Sequence, residues 1–504
     1  MSIRIIPICL VAIAAALPLI TGTAQAQKLN SRSVVTPPPP TGGGGGGVTR
    51  PPSGGHHGGG GGFRGPGWGA VVPGLIIMTV PHLMQPRGDV VYEDDDYVDQ
   101  PRRRPPQRAA QPSRPSGVPP ASERRYVPDE VVIELRNTVA PRQVDALQRR
   151  HRLTRLESQP HQLSGTTLYR WRIPDRRSVP QVVRQLERDN VVASAQPNYV
   201  YTLQDDAAKP AGDPAQYEVA KLRLPQAHQI AGGADVIVAV IDSGVDAAHP
   251  ELTDSVIESF NAAATPMAPH SHGTAIAALI AGHGKLLGAA PKAKLLAVRA
   301  FDPNGGSADG TTFAILKGLD WAVANKARVI NMSFAGPSDP AMLRSLAAAH
   351  KKGIVLIAAA GNAGPKSPPL YPAADPNVIA VSATDADDKL FAQSNRGRHI
   401  AIAAPGDQLL VAVPGGYEVS SGTSYSAAEI SGVVALMIER DPKLTPAKAL
   451  ARLQAAARDL GPKGRDSEFG AGLADAFGAV SGDGAAVAAD VPIAPVRPVK
   501  AGLR

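Results

Sequence analysis

The sequence predicts an α/β fold from about residue 213 to 480, a mostly parallel doubly wound sheet with helices on both faces, preceded by a small α+β domain. Three observations lead to this prediction. Apolar, β-rich runs alternate with helix-like segments over that range, which favours a buried parallel sheet. Residues 125–205 show a shorter alternation of strand and helix patterns. The remaining segments are rich in Gly, Pro, Arg or Ala and poor in core-forming residues.

The N-terminus has the pattern of a secretory signal peptide over residues 1–26. Arg4 precedes a mostly apolar run, and Ala24-Gln25-Ala26 is a small-residue cleavage site. An uncleaved membrane anchor is the alternative, which two prolines in the apolar run disfavour. The single cysteine, Cys9, lies in this segment, so the cleaved chain would lack thiols and disulfides. We therefore expect an exported protein, either secreted or held in the periplasm or cell envelope.

Residues 27–124 are predicted to form a disordered Gly/Pro/Arg-rich linker, as in "TPPPPTGGGGGG". The apolar stretch 68–84 is broken by Pro and Gly and is too short to span a bilayer. It could touch a membrane or pack on the folded domain, and the sequence does not decide between them. The net charge of +8 comes from 52 basic and 44 acidic residues, and much of the excess lies in this linker. Nucleic acid is therefore not an expected partner.

The segment 125–205 is predicted to be a small α+β domain with the order β-α-β-α-β. Its strands are "EVVIELR", "TTLYRWRI" and "VVASAQPNYVY", and its helices are "PRQVDALQRRH" and "SVPQVVRQLERDN". The polar stretch that follows, "LQDDAAKPAGDPAQ", is typical of an exposed connector.

The segment 213–480 supplies the predicted parallel sheet. Its strands are "VIVAVID", "KLLAVRAF", "RVINMSF", "GIVLIAAAG", "VIAVSAT" and "HIAIAAPG". Helix-like segments between them include "GTAIAALIAG", "FAILKGLDWAVANKA" and "DPAMLRSLAAAHKKG". The tail, residues 481–504, is rich in Ala, Pro and Gly and is expected to be flexible.

Polar residues follow three of these strands. Asp242, Ser333 and Asn362 come at or just after successive strand ends, while His272 and Ser424 begin helix-like segments. Because the carboxyl ends of parallel strands share one edge of a sheet, these side chains should meet there.

Such a group is what acyl transfer requires. A serine becomes nucleophilic when a histidine takes its proton, a carboxylate orients that histidine, and amide donors stabilise the oxyanion. Taken singly, Asp-Ser-Gly is usually a turn, His-Gly-Thr a helix start and Gly-Asn a loop. Their joint occurrence favours the catalytic interpretation.

The motifs "VIVAVIDSGVDAAHPEL", "HGTAIAALIAG", "VINMSFAG", "AAAGN" and "SGTSYSAAEISG" resemble those of subtilisin-like serine peptidases, the subtilases. The resemblance implies that Asp242 orients, His272 is general base and acid, Ser424 is the nucleophile and Asn362 is the oxyanion donor. It also implies that an extended polypeptide substrate binds along a short stretch of backbone. The residues concerned are Ser333, Phe334, Ala335, Gly336 and Gly361.

Residues 125–205 resemble the subtilase propeptide, which implies an intramolecular chaperone and inhibitor. Self-cleavage is then expected between Tyr201 and Tyr217. A permanent accessory domain is the alternative.

The chain departs from the family at several positions. Tyr425-Ser426-Ala427-Ala428 stands where the family usually has Met-Ala-Thr-Pro, and Glu429 replaces a frequent histidine and is expected to be structural. His270 and His283 are predicted to be surface or loop residues. Ala335 and Leu370 add bulk near the cleft, which predicts small or medium apolar side chains before the cleaved bond.

No cofactor is expected to be needed for the chemistry, and no metal ligands are predicted. The loop 281–291 lacks the carboxylates with which the family often binds calcium. A calcium ion at the acidic "SATDADDKL" stays open, with a solvated loop the favoured interpretation.

The sequence therefore predicts an exported, monomeric serine endopeptidase, matured by loss of signal and propeptide, that acts on polypeptides. Two rivals remain. One is a catalytically silent subtilase fold used for binding or as a chaperone, and the other is an envelope structural protein, suggested by the Gly/Pro-rich N-terminus.

Overall fold

A computed structural model describes residues 115–204, 216–304 and 307–482. The predicted signal peptide, residues 27–114 of the predicted linker with the apolar stretch 68–84, and nearly all of the tail lie outside the described residues. Within those three ranges, no helix combines the length and the apolar character needed to cross a membrane.

The first compact part has the element order β-α-β-β-α-β. Its elements are β1 (Tyr126–Arg136), α1 (Pro141–His151), β2 (Thr154–His161), β3 (Thr166–Arg172), α2 (Val179–Leu186) and β4 (Val192–Leu203). The strands pair antiparallel in the order β2-β3-β1-β4. The predicted α+β class is confirmed, but the predicted order missed β2. This edge strand is mostly polar and half-exposed, with only its last residue buried, so it carries no apolar alternation.

The core of this part lies between the sheet and its two helices. Trp171 of β3 is completely buried among apolar residues of both helices, including Leu147 and Leu186. Pro180 lies in the first turn of α2, where a missing N–H costs no intrahelical bond.

The predicted linker extends too far. Residues 115–124 lie on the α+β domain, where the N–H of Gly117 donates to Glu187 at 2.6 Å and Ser116 Oγ donates to the same carboxylate at 2.8 Å. Gly117 is buried so closely that an added Cβ would lie 1.9 Å from the carbonyl oxygen of Ala195. A glycine that packs closely against backbone adds no apolar side chain to the sequence pattern. Composition alone therefore assigned this stretch to the linker.

The second part begins with two short helices and continues as alternating strands and helices. Its elements are α3 (Tyr217–Lys221), α4 (Leu224–His228), β5 (Ile237–Asp242), β6 (Val256–Asn261), α5 (Ser271–Ala281), β7 (Lys294–Arg299), β8 (Phe301–Asn304), β9 (Ser307–Thr311), α6 (Thr312–Ala324), β10 (Val329–Met332), β11 (Phe334–Ala335), α7 (Pro340–Lys351), β12 (Val355–Ala359), β13 (Val378–Thr384), β14 (Ile400–Pro405), β15 (Leu409–Val413), β16 (Gly416–Ser420), α8 (Thr423–Arg440), α9 (Pro446–Ala456) and α10 (Ala476–Ser481). A 3₁₀ turn spans Pro250–Leu252.

The central sheet has seven parallel strands in the order β14-β13-β12-β10-β5-β7-β6. Successive residues of β5 alternate between two cores: Val238 and Val240 pack with α5 and α8, and Ala239 and Ile241 pack with α6 and α7. Helices therefore cover both faces, and the predicted doubly wound α/β fold is confirmed.

Strand β4 joins the two parts. Its last residues pair antiparallel with β9 on one side, where Tyr201 lies opposite Gly310, and with β11 on the other, where Leu203 lies opposite Phe334. The same strand pairs with β1 nearer its start. One 12-residue strand thus belongs to the α+β domain and to the edge of the larger one.

Candidate active site

Asp242 and His272 are in direct contact, as predicted. Asp242 is the last residue of β5, and His272 lies in the first turn of α5. His272 Nδ1 is 2.8 Å from Asp242 Oδ1, and both side chains are fully buried. The same carboxylate oxygen accepts the N–H of Ser243 at 2.7 Å and its hydroxyl at 3.0 Å. These bonds fix the carboxylate, which in turn fixes the orientation of the imidazole.

Ser424 is the second residue of α8 and is completely buried. Its Oγ lies 2.5 Å from the carbonyl oxygen of Gln204 and 3.1 Å from that of Ser333. The hydrogen bonds that the structure gives this hydroxyl go to these two carbonyls. The nucleophile predicted from sequence is therefore turned toward the end of β4.

Asn362 follows β12 and is tied to the residue that precedes Ser424. Its Oδ1 accepts the N–H of Thr423 at 3.1 Å and the Thr423 hydroxyl at 2.8 Å. An amide whose oxygen is held in this way must point its Nδ2 in the opposite direction. That Nδ2 is buried and has no hydrogen-bond partner among the described residues. The Nδ2 group is therefore an oriented hydrogen-bond donor without an acceptor among the described residues.

The predicted substrate-binding residues surround the end of β4. Phe334 and Ala335 form β11 and pair with Leu203 and Thr202. Ser333 lies directly before them and donates its hydroxyl to the carbonyl of Ser424 at 3.0 Å.

The two predicted glycines serve close approach. The ring of Tyr201 packs directly against Gly336, where an added Cβ would lie 2.2 Å from the ring. Gly361 has φ +106, donates its N–H to Thr423 Oγ1 at 3.0 Å, and would place an added Cβ 2.4 Å from Asn395 Nδ2. All predicted site residues are thus gathered at one edge of the sheet.

Sequence reasoning missed the residue that faces the nucleophile. Gln204 directly follows β4, and besides its carbonyl contact its Oε1 accepts the N–H of Asn362 at 2.9 Å. The bond after it, Gln204–Asp205, falls within the window predicted for self-cleavage. No local motif marks Gln204, and only the length of the preceding strand could have indicated it. The preference predicted for small or medium apolar side chains before the cleaved bond stays a prediction.

His270 is a loop residue, as predicted, and lies at the N-cap of α5. Its side chain is half-buried, and its Nδ1 lies 2.9 Å from the hydroxyl of Ser243, which itself bonds Asp242. His283 is exposed, as predicted. Tyr425 is buried beneath the cleft with its ring centroid 6.1 Å from that of His272, and its hydroxyl bonds Ser420 at 2.8 Å.

Two observations bear on the question of calcium. Among the described residues, no group of three or more His, Cys, Asp or Glu side chains is arranged to hold a metal ion. In the acidic loop, Asp385 accepts the backbone N–H groups of Asp387 and Lys389 at 2.9 and 2.8 Å. Calcium binding there stays open.

This fold agrees with the family comparisons. Residues 233–472 match the model of the subtilase family, and residues 112–198 match that of the fervidolysin N-terminal prodomain. The chain belongs to the subtilase family and is a subtilisin-like serine endopeptidase.

Particular relatives support the assignment. The chain is 34% identical over 294 residues to subtilisin E of Bacillus subtilis (strain 168), which covers 56% of this chain and 74% of the relative. It is 36% identical over 231 residues to thermitase of Thermoactinomyces vulgaris, with 44% and 81% covered. The structure of fervidolysin from Fervidobacterium pennivorans, described as a keratinolytic enzyme related to subtilisin, aligns with a TM-score of 0.61 and 24% identity. That alignment covers 71% of this chain and 61% of fervidolysin, and it bears on the fold alone.

Proposed function

We propose that this chain is an exported endopeptidase made as an inactive precursor, which cleaves its own Gln204–Asp205 bond and then hydrolyses polypeptides through Asp242, His272 and Ser424. One observation carries the proposal. The Gln204 carbonyl oxygen lies 2.5 Å from Ser424 Oγ, at the end of a strand that lies between β9 and β11.

The geometry supports a definite division of roles. Asp242 accepts a hydrogen bond from His272 Nδ1, so Nε2 is the nitrogen that removes the Ser424 proton. Ser424 Oγ then forms a bond to the peptide carbonyl carbon, and the carbonyl π electrons move onto the oxygen. Asn362 Nδ2 and the N–H of Ser424, at the start of α8, are the donors that stabilise this oxyanion.

The second half of the reaction reverses the proton movement. When the tetrahedral intermediate collapses, the C–N bond breaks and His272 gives its proton to the leaving amine. Water, deprotonated by the same imidazole, then hydrolyses the acyl-enzyme and releases the carboxylate product. Asp242 stays ionised throughout and stabilises the imidazolium.

The same strand accounts for inhibition. After cleavage at Gln204, residues 200–203 would still pair with β9 and β11 and occupy the cleft as a product. Strand addition of this kind binds through backbone hydrogen bonds, and it favours substrates that are unfolded or flexible. An accessory domain with no role in maturation would not need its last carbonyl at the nucleophile.

The remaining features of the proposal rest on sequence. The signal pattern of residues 1–26 supports export, and one relative is named minor extracellular protease Epr of Bacillus subtilis (strain 168). The chemistry uses no cofactor, and the enzyme acts as a monomer. Whether the 68–84 stretch contacts a membrane or packs on the folded domain stays open.

The test follows the size of the purified precursor over time for wild type, S424A and S426A. Wild type and S426A should release a fragment ending at Gln204 and react with a serine-directed fluorophosphonate, whereas S424A should do neither. Ser426 is the matched control. It lies two residues after the nucleophile, and its hydroxyl donates to the carbonyls of Ala404 and Pro405. A wild type that neither processes itself nor takes up the probe would favour the silent binding module.

A further inference from the structure

Tyr201 occupies a closed pocket in the cleft. Counting back from Gln204, it is the fourth residue before the bond that faces Ser424. Its side chain is completely buried, with its ring edge-on to Phe334 at 5.8 Å between centroids and lying against Gly336. The hydroxyl reaches the far end of the pocket, 3.3 Å from both the Pro337 carbonyl and Asp339 Oδ2.

Asp339 is a buried carboxylate at the start of α7. Its Oδ1 accepts the N–H groups of Ala341 and Met342, at 2.9 and 3.0 Å, and so caps the helix. The same oxygen accepts Gln196 Nε2 at 2.6 Å. Its Oδ2 accepts the Thr312 hydroxyl at 2.5 Å and the Tyr201 hydroxyl at 3.3 Å.

The two oxygens therefore have different tasks. Departure of the propeptide would leave Oδ1 with the helix N–H groups, but Oδ2 would keep Thr312 and lose the phenol. A buried carboxylate oxygen that loses a hydrogen-bond donor costs free energy. Only a bound side chain with a hydroxyl at the same depth in the pocket restores that hydrogen bond. A site built to bind a hydroxyl discriminates strongly against the analogue that lacks it.

We propose that Asp339 makes this endopeptidase selective for tyrosine over phenylalanine at the fourth residue before the cleaved bond. The inference rests on the proposed function and names the substrate class of the same cleft: flexible polypeptides with a tyrosine four residues before the scissile bond. Gly336 leaves room for the aromatic ring, and Asp339 accepts a hydrogen bond from its hydroxyl.

The test measures kcat/KM of the mature enzyme on two peptide nitroanilides, Tyr-Thr-Leu-Gln and Phe-Thr-Leu-Gln, which copy residues 201–204. The tyrosine peptide should be cleaved roughly tenfold better, the worth of one hydrogen bond to a charged group. In D339S the serine keeps the helix cap but lacks the second oxygen, so the Tyr/Phe ratio should fall at least threefold. G336A is the control for shape, since its added Cβ should penalise both rings alike and leave the ratio unchanged.

Each outcome is informative because the ratio is taken within one enzyme. Equal cleavage of the two peptides by the wild type overturns the inference and leaves the proposed function standing. An unchanged ratio in D339S overturns the assignment to Asp339. If D339S does not fold, the isosteric D339N replaces it and should also lower the ratio, because its Oδ1 keeps the helix cap while its Nδ2 cannot accept the tyrosine hydroxyl. A wild type that cleaves neither peptide and does not process itself removes the proposed function and the inference together.

Discussion

Asn362 shows how a single side chain can be held ready by its neighbours. Thr423 donates twice to its Oδ1 and also accepts the N–H of Gly361, so one threonine orients the amide and the turn before it. The Nδ2 that results is buried without a partner among the described residues, which is a desolvation cost in the resting precursor. Such a cost is recovered only when an oxyanion forms.

Replacing this amide should therefore slow chemistry more than it affects folding. N362A should reduce the rate of Gln204–Asp205 cleavage by about 10²- to 10³-fold, the loss that removing one such donor causes in subtilisin itself. The measurement is a time course of the purified precursor on a gel. N362D is the matched variant, since it keeps the acceptor for Thr423 but cannot donate and should be equally impaired. A cleavage rate within threefold of wild type would contradict the oxyanion role.

Two buried glutamates make the stability of the folded protein depend on pH. Glu218 on α3 and Glu429 on α8 are buried, and none of their carboxyl oxygens has a hydrogen-bond partner in the described ranges. Burial raises the pKa of Glu218 to about 7. Burial, reinforced by Glu218, raises the pKa of Glu429 well above its usual value.

The sign of the pH effect follows directly. A raised folded-state pKa means that the folded protein holds the proton more tightly, so the stability that this group contributes is full below about pH 4.5 and falls as pH rises toward 7. For Glu218 the loss is roughly 3 kcal/mol, at about 1.4 kcal/mol per pKa unit. In the S424A precursor, E218Q and E429Q should each flatten the decline in unfolding free energy between pH 5 and 8, measured by urea titration. E258Q, at an exposed position of β6, is the control and should leave the decline unchanged. Identical slopes in all four proteins would refute the assignment.

At the scale of elements, the sequence predicts those strands whose burial is decided by their own residues. All residues of β12, β13 and β14 are buried, and their apolar runs were recognisable without a partner. The edge strand β6 exposes half its residues and was missed. So was β9, "SADGT", whose pairing depends on β4 arriving from another domain. The same reasoning covers the site: the strand-end residues were predictable, but Gln204 gains its position only from that long-range pairing.

The 3₁₀ turn before β6 illustrates a contact between elements that no local pattern reveals. Glu251 is buried, and its carboxylate accepts the N–H groups of three successive residues after α5, Gly284, Lys285 and Leu286, at 2.8–3.0 Å. Tyr417 of β16 donates to it at 2.7 Å. One carboxylate thereby holds together α5, the loop after it and the β15–β16 ribbon.

Removing that carboxylate should destabilise the larger domain. E251A leaves three backbone donors without their acceptor and should lower the unfolding free energy of the S424A precursor by roughly 3 kcal/mol, whereas Y417F should cost roughly 1 kcal/mol. Burial raises the pKa of Glu251, but the hydrogen bonds from Tyr417 and the backbone outweigh it and the net pKa is lowered. The contribution is therefore present above about pH 4.5 and is lost as pH falls below it, so the deficit of E251A should shrink in acid. A deficit that is the same at pH 3.5 and pH 7 would contradict this account.

At the scale of the whole molecule, the described residues show the α+β domain in contact with both flanks of the cleft. Beyond the shared strand β4, Lys317 on α6 pairs with Glu157 at 2.7 Å, and Arg344 on α7 pairs with Glu134 at 3.0 Å. The N–H of Leu163 donates to Asp320 on α6 at 2.9 Å. These contacts hold the strand that ends at Gln204 in register with Ser424.

One buried histidine lies within this set of contacts between the domains. His161 ends β2, its Nδ1 is 2.8 Å from Ser164 Oγ, and its Nε2 is buried without a partner among the described residues. Burial lowers the pKa of His161, and Arg344 adds to this, while Asp320 and Glu134 oppose it without reversing it. Protonation is therefore resisted in the docked state and accepted readily in a free or unfolded one.

The consequence is that acid should weaken the contact between propeptide and catalytic domain. Because the folded-state pKa lies below the ordinary 6.5, the stability that His161 contributes is full above that value and declines as pH falls through the interval beneath it. In the S424A precursor this contribution runs opposite to that of the two buried glutamates, so it is measured as a difference between variants. From pH 7.5 to pH 5, the thermal stability of H161Q should rise relative to that of its parent, because glutamine cannot take up a proton. H151Q is the matched control, since His151 pairs with Asp189 inside the propeptide domain rather than with α6. If the stability of H161Q relative to its parent is the same at pH 7.5 and pH 5, as it should be for a group with no part in the acid response, His161 does not set that response.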